Sequence, residues 1–352
     1  MRRALNRSTK AGVVARSTTW LILLGCAHWL FAGQPQPPAD ATPALTPYVD
    51  VHAHLDPADP NGSVQAALHA ESVGKASTIL LLPLPFAPED SGIFDAEAYM
   101  AAVKAHPGKL AFLGGGGTLN VMIQNAVRSG DAGAEVQRKF KERAEAIVSE
   151  GGRGFGELTA EHFKGATAYQ YAPADHPLFM LLADIAAQHD VPIDLHMEAV
   201  PQAMALPANL KSPPNAAQLH ENIAPFERLL DHNPKAKIVW AHAGSDGTGE
   251  RTVELQRRLL KAHPNLYMEI KVDPVDLGKN PPIDASGRIK PDWLKLFEDF
   301  PDRFVIGSDQ HYPEPKEGPQ RWQADVLLLN QLPASVRKKI ASENAVRLYG
   351  LR

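Results

Sequence analysis

Tyr48-Val49-Asp50-Val51-His52-Ala53-His54-Leu55 is the stretch on which the reading of this 352-residue chain turns. A short apolar run of this kind reads as a buried strand, and strand side chains alternate between two faces. On that rule Asp50, His52 and His54 share one side, while Val49, Val51 and Ala53 take the other. Two imidazoles two residues apart on one face can grip a single metal ion. For a His-x-His taken alone, a solvated strand end is the commoner case, so the metal reading depends on what the rest of the chain supplies.

The chain is 44% apolar and 22% charged, which is ordinary globular composition, and it is long enough for one large domain. Its formal charge of -4 is small, which gives no ground for binding nucleic acid or adhering to anionic membranes. A small-molecule partner is expected instead. The single cysteine, Cys26, lies outside the part that reads as folded. A disulfide framework and a cysteine-based zinc site are therefore excluded, and any metal must be held by nitrogen and oxygen.

Residues 1–33 have the layout of an export signal: Arg2, Arg3, Arg7, Lys10 and Arg16 without an acid, a nearly apolar stretch over 20–31, then Ala32-Gly33. The apolar run is about a dozen residues, short of the roughly 20 that span a bilayer, so removal after export is expected and a stable transmembrane span is not. Leu23-Leu24-Gly25-Cys26 is similar to a lipoprotein cleavage site and makes Cys26 a candidate lipid anchor, whereas Arg2-Arg3 fits the twin-arginine pattern poorly. The expected destination is the periplasm or the medium. Residues 34–47 read as a Pro/Ala-rich linker and 48–352 as a single domain.

From residue 48 a rhythm repeats, in which a short β-rich run is followed by a polar or glycine-rich break and an amphipathic stretch. The predicted strands are 49–53, 78–82, 110–113, 154–157, 193–195, 238–241, 266–270 and 304–307, with helices at 136–149, 178–189, 226–231, 253–262 and 293–300. His106, His189, His232 and His263 each sit where a helix should end just before a strand, and they read as helix terminators. Eight alternating units in about 300 residues predict an α/β fold of the closed (β/α)8 TIM barrel type. An open doubly wound sheet would call for a G-x-G-x-x-G fingerprint, and Gly114 to Gly117 is only a plain glycine run, read as a tight loop at the rim.

In such a barrel the chemistry sits where strands enter their following loops. The polar residues at those ends are His52 and His54 on the first strand, Glu157 on the fourth, His196 on the fifth, His242 on the sixth and Asp309 after the eighth. Converging buried ionisable groups are costly unless they are paired or bind a metal.

With these residues assembled, the chain resembles the amidohydrolase superfamily of metal-dependent hydrolases. The resemblance rests on His52-Ala53-His54, Asp194-Leu195-His196, Trp240-Ala241-His242-Ala243-Gly244 and Gly307-Ser308-Asp309, in that order. It is strongest to the branch of aminocarboxymuconate-semialdehyde decarboxylase-like and TatD-like proteins, and it extends to a closing helix over 340–350. It implies a distorted (β/α)8 barrel with one or two divalent metals, zinc foremost, at its mouth. The best-known binuclear members bridge two metals with a carboxylated lysine, and this chain offers Glu157 there. If Glu157 bridges, one ion takes His52, His54 and Asp309 and the other His196 and His242. If it does not, His52, His54, His196 and Asp309 hold a single ion.

The resemblance implies an enzyme that uses hydroxide generated on the metal to cleave an amide, ester or lactone, with Asp309 as general base and His242 steadying the developing oxyanion or a metal. The alternative is non-oxidative decarboxylation of an unsaturated or aromatic acid at one metal, which would need a basic group to hold the substrate carboxylate. Asp50 is expected to support the histidines from deeper in the barrel. Glu198 and His311 are candidate substrate contacts, while Asp246 and Arg321 read more readily as surface charges. The proline-rich insertions over 201–220 and 273–290 are expected over the mouth.

Overall fold

The computed structural model describes residues 46–56, 58–273, 278–313 and 320–351. The export signal, Arg2-Arg3, Cys26 and most of the linker lie outside the described residues, as does part of the second insertion, 274–277. Among the described residues, no helix is long and apolar enough to cross a membrane.

The strands in chain order are β1 (Tyr48–Leu55), β2 (Ala76–Leu81), β3 (Leu110–Phe112), β4 (Gly114–Gly115), β5 (Phe155–His162), β6 (Gln170–Tyr171), β7 (Pro192–Met197), β8 (Met204–Ala205), β9 (Gln218–Leu219), β10 (Lys237–Ala243), β11 (Leu266–Ile270), β12 (Phe304–Ile306) and β13 (Gln310–Tyr312). Each predicted strand coincides with one of these. A parallel path runs β3-β2-β1-β12-β11-β10-β7-β5-β4, with β13 added beside β1 and β6 beside β5, and β8 and β9 pair separately. The fold is thus a mixed α/β one with a mainly parallel sheet, and the glycine run read as a tight loop contributes a further short strand, Gly114–Gly115, directly after the predicted third strand. Only Leu113 lies between β3, which pairs with β2, and β4, which pairs with β5. Leu113 N donates to Leu81 O at 3.0 Å and Gly114 N to Gly154 O at 3.3 Å, so the chain changes neighbour within two residues. The glycine run permits this turn of the backbone: a Cβ on Gly116 would lie 2.4 Å from Leu84 O, and one on Gly117 1.7 Å from Phe94 O.

The predicted helices are observed at Ala134–Ser149, Pro177–His189, Ile223–His232, Val253–Ala262 and Pro291–Asp299. Helices Pro60–Gly74, Glu97–Ala105, Leu119–Ser129 and Arg321–Gln331 occupy further intervals between strands. The first of these buries Ser63, Ala67, Ala70 and Gly74, a stripe of small residues with little apolar contrast to its other face. Its start is well marked all the same: Asp59 caps it by accepting from Gly62 N, and Pro60 stands in the first turn. The four histidines read as terminators end helices as expected. His106 and His263 are C-caps, and His189 and His232 are last residues.

The two faces of the sheet bury different clusters. One packs Ala53, Leu55, Leu81, Phe112, Leu195 and Trp240 with the helices. The other joins Val49, Val51, Leu80, Leu82, Val239 and Val305 to Ala345, Leu348 and Tyr349 near the carboxyl terminus. This division corrects the strict alternation expected of β1, since Val49 and Val51 lie on one face while Ala53 lies on the other. The cause is a register irregularity between Asp50 and Ala53. Similar breaks occur in β5 between Phe155 and Leu158 and in β10 between Trp240 and Ala243. Each break brackets a candidate site residue: His52, Glu157 and His242. An extra residue in one strand re-aims the side chain beside it, and here that happens on three strands.

Candidate metal centre

Glu157 is the hub of the predicted residues. Its Oε1 lies 2.8 Å from His196 Nδ1 and 3.2 Å from His242 Nε2, and its Oε2 lies 3.6 Å from both His52 Nε2 and His54 Nε2. Asp309 joins from the turn between β12 and β13, with Oδ1 3.1 Å from His54 Nε2 and 3.9 Å from His52 Nε2. Two sets of donor atoms lie within 4.8 Å of one another: His52, His54 and Asp309, and His52, Glu157 and His242. His196 falls in neither set and reaches the centre through Glu157, so the grouping His52, His54, His196 and Asp309 is not gathered around one point.

The imidazoles are aimed from behind. His54 Nδ1 donates to Leu82 O at 2.9 Å, His242 Nδ1 faces Glu269 Oε2 at 3.0 Å, and His52 Nδ1 faces Asp194 Oδ2 at 3.5 Å. A ring with Nδ1 tied in this way turns Nε2 to the centre as a donor atom for a metal. His196 is reversed, with Nδ1 toward Glu157 and Nε2 4.0 Å from Glu198. His242 and Asp309 hold their positions with φ of 62° and 49°, a left-handed backbone that non-glycine residues seldom adopt. His242 N donates to Glu269, and Asp309 N donates to His52 O, so both strained residues are pinned.

The charge pattern fits a cation. Burial opposes ionisation of Glu157, yet His196, His242 and His52 outweigh it and hold the carboxyl well below its usual range. Burial likewise opposes a charged His52, and Asp194 and Glu157 outweigh it to raise the imidazole well above its usual value. His242 is raised in the same manner, with Glu269 and Glu157 overcoming burial and Lys271. The Nε2 of the fully buried His52, 3.6 Å from Glu157 and 3.9 Å from Asp309, is left without a close hydrogen-bond partner among the described residues. Buried nitrogens left open, turned toward two ionised carboxylates, are the donor set a divalent metal takes, and its binding would displace the imidazole protons.

Asp194 and Glu269 were legible only as strand residues, and neither is among the predicted site residues. Each had a faint signal: Asp194 lies two positions before His196 on the same strand, and Glu269 is a lone acid in an otherwise apolar strand. Asp194→Asn and Glu269→Gln are each expected to weaken metal affinity about 10–100-fold, the usual cost of losing a carboxylate behind a ligand histidine. Competition with a chromophoric chelator measures this, and wild-type affinity in both variants would remove them from the site.

Asp50 serves the backbone rather than an imidazole. It accepts from Ser308 N at 2.9 Å, from Ser308 Oγ at 2.6 Å and from His52 N at 3.2 Å, and burial pushes its pKa up to about 6. Two residues read as surface charges are not. Asp246 is 3% exposed and accepts from Thr248, Gly249 and Arg251 of its own loop and from Asn280, tying the loop after β10 to the loop after β11. Arg321 reaches Asp309. His311 is half-exposed, with its ring 4.7 Å from that of His54, and His162 packs 4.6 Å from His196.

At the end of β5, Glu161 accepts from Tyr169 OH at 3.1 Å and Asn222 Nδ2 at 3.0 Å, and burial pushes its pKa up from 4.5 to about 7. A folded-state value above the unfolded one adds stability that is complete below pH 4.5 and lost as pH rises through about 7. Glu161→Gln is expected to remove a stability difference of about 3 kcal/mol between these limits, at 1.36 kcal/mol per unit. Denaturation midpoints of both proteins at pH 5 and 8 test it, and parallel pH dependences would contradict it.

A family model described as amidohydrolase matches residues 49–351. Among curated protein sequences, none matches this chain. Among solved structures, a 2,6-dihydroxybenzoate decarboxylase complexed with 2,6-dihydroxybenzoate is similar at TM-score 0.50 and 14% identity, covering 87% of this chain and 100% of that one. An amidohydrolase 2 from Bifidobacterium longum subsp. infantis gives TM-score 0.45 and 12% identity over 87% and 99%. A dihydroxybenzoic acid decarboxylase from Polaromonas, with bound manganese and 2-nitroresorcinol, gives 0.47 and 14% over 87% and 98%.

Proposed function

The chain belongs to the amidohydrolase family, and on that premise we propose that it is a metal-dependent hydrolase cleaving an amide, ester or lactone bond of a small molecule. The observation that carries the proposal is the convergence of His52 and His54 from β1, His196 from β7 and His242 from β10 around Glu157 and Asp309. We take the sheet to be the (β/α)8 barrel of the family, in favour of which its path ends on either side of Leu113. Residues 48–352 are taken as the catalytic domain, and 1–33 as a signal that directs it to the periplasm or beyond.

His52, His54 and Asp309 would hold a metal on one side of the centre, and Glu157, His242 and His196 on the other. Zinc suits such nitrogen and oxygen donors; when bound, it polarises a carbonyl and lowers the pKa of water toward neutrality. Asp309, with Oδ2 engaged by Lys271 and Arg321 and Oδ1 toward His54, would accept the proton that the attacking water gives up and pass it to the leaving group. Where an ion is held only on the His52, His54 and Asp309 side, His242, whose Nδ1 faces Glu269, would instead present Nε2 to the oxygen on which negative charge develops. Glu157 fixes the spacing of the imidazoles and balances their charge.

One observation favours a second reading. Lys271 beside Asp309 is a basic group of the kind that non-oxidative decarboxylation of an unsaturated or aromatic acid would need. Metal analysis of the purified protein, followed by a screen of lactones, esters, amides and such acids with His196→Ala as control, separates the two. At least one metal per chain and a hydrolysis abolished by chelation are expected. Carbon dioxide release from an acid, with no hydrolysis, would replace the first reading by the second. Turnover indifferent to chelators would overturn both.

A further inference from the structure

A phenol stands behind this centre, on the side away from the loops. The short helix Asn344–Leu348 is anchored by Asn344, whose Nδ2 donates to Pro301 O at 2.8 Å and to Phe304 O at 2.7 Å. Phe304 opens β12, so this helix lies at the amino end of that strand, whereas the histidines stand near the carboxyl ends of theirs. Tyr349 caps the helix, and Arg153 Nη1 fixes the next residue by donating to Gly350 O at 3.2 Å. The Tyr349 side chain is buried in one cluster with Val49, Val51, Val239 and Val305.

Asp194 and Glu269 stand on that same face of the sheet. Their neighbours along β7 and β11, Ile193, Leu195, Met268 and Ile270, pack into the opposite cluster, and side chains alternate along a strand. Each acid turns one oxygen to a histidine, Asp194 Oδ2 to His52 and Glu269 Oε2 to His242. The other oxygens, Asp194 Oδ1 and Glu269 Oε1, have no hydrogen-bond partner among the described residues, and neither has Tyr349 Oη. All three are buried, where an unmet polar group is costly. Burial, and after it the negative charges of Asp194 and Glu269, push the phenol well above its usual pKa and keep it a neutral O–H donor. Glu269 also accepts from His242 N, whereas Asp194 has only its 3.5 Å contact with His52. Asp194 is therefore the acid that gains most from a donor.

We propose that Tyr349 is a positioning residue of the metal centre, donating across one ordered water to Asp194 and so holding that carboxylate charged and aimed at His52. When His52 gives Nε2 to a metal, its Nδ1 carries the proton and needs an ionised acceptor behind it. This rests on the metal-dependent reading above, and it extends the centre to a residue from the other end of the strands. A role confined to packing would be filled equally well by phenylalanine.

The test titrates metal-free full-length protein with zinc against chelators of graded affinity, in wild type, Tyr349→Phe, Asp194→Asn and the double variant. Tyr349→Phe is expected to bind zinc about tenfold more weakly than wild type, the weight of one hydrogen bond to a charged group. In the Asp194→Asn background the same substitution should cost less than about twofold, because the acid it serves is gone. Zinc affinity in Tyr349→Phe equal to or above that of wild type overturns the proposal. A loss above that limit in the Asp194→Asn background also overturns it, because the phenol would then act through packing or through Glu269. Wild-type protein that binds no zinc fails the metal-dependent reading itself, whereas tight binding by wild type and Tyr349→Phe alike fails this inference alone.

Discussion

An Asp309→Asn protein is expected to fold normally and to lose about 10²–10⁴-fold in kcat on any ester, lactone or amide the wild type hydrolyses, the range that proton transfer by a positioned side chain contributes. Asparagine preserves the volume, keeps an oxygen for Lys271, Arg321 or His54, and is among the residues that best tolerate the left-handed backbone at this position. What it cannot do is exchange a proton. In the wild type, burial opposes the Asp309 carboxylate, while Lys271 and His54 outweigh that and keep it ionised far below the usual range. The loss should fall on kcat with little change in KM. Steady-state kinetics on metal-matched samples measures the split, and full turnover by the variant would exclude Asp309 from the chemistry.

The second large effect is on stability. Arg251 is 3% exposed, stacks over the Trp240 ring at 3.9 Å, donates from Nη2 to Trp240 O at 3.0 Å, and donates from Nη1 to Ala241 O. These carbonyls immediately precede His242, where β10 leaves its register, so the guanidinium satisfies backbone groups that the broken ladder leaves open. Arg251→Met is expected to destabilise the fold by about 3–6 kcal/mol, at roughly 1.5–3 kcal/mol for each hydrogen bond to a charged group. The nearby His242 should be disturbed as well, and metal affinity should fall together with the urea midpoint. A midpoint unchanged within error would show that the carbonyls find other partners at no cost.

Much of this molecule can be read along the chain because its strands are buried on both faces and bounded by turns. The runs near Val49, Thr78, Ile193 and Leu266 stand out as strands, and the polar residue closing each site-bearing strand stands out against its apolar neighbours. His52, His54, Glu157, His196, His242 and Asp309 are all found near one another for that reason. What escaped was set by tertiary context. Asp194 and Glu269 are deep partners whose role exists only once β7 and β11 stand beside β10. Asp246 and Arg321 look like solvated charges until the loops holding them are folded back. Small buried residues hide the helix Pro60–Gly74, and the short strand Gly114–Gly115 depends on the chain changing neighbour after Leu113.

The register breaks in β1, β5 and β10 carry a lesson for transplanting such a centre. A regular strand offers a new position on a given face only every second residue, about 6.6 Å along its axis. Donor atoms gathered within 4.8 Å of one another in each of two triads, His52 with His54 and Asp309 and His52 with Glu157 and His242, call for finer placement than that lattice allows. The three irregular strands supply intermediate settings, each moving one donor a fraction of a step toward the others. Grafted onto an idealised sheet, the same six side chains would keep their identities and lose their mutual distances. The coordinates of this centre are written in its backbone, and a scaffold intended to receive it has to inherit the irregularities along with the histidines.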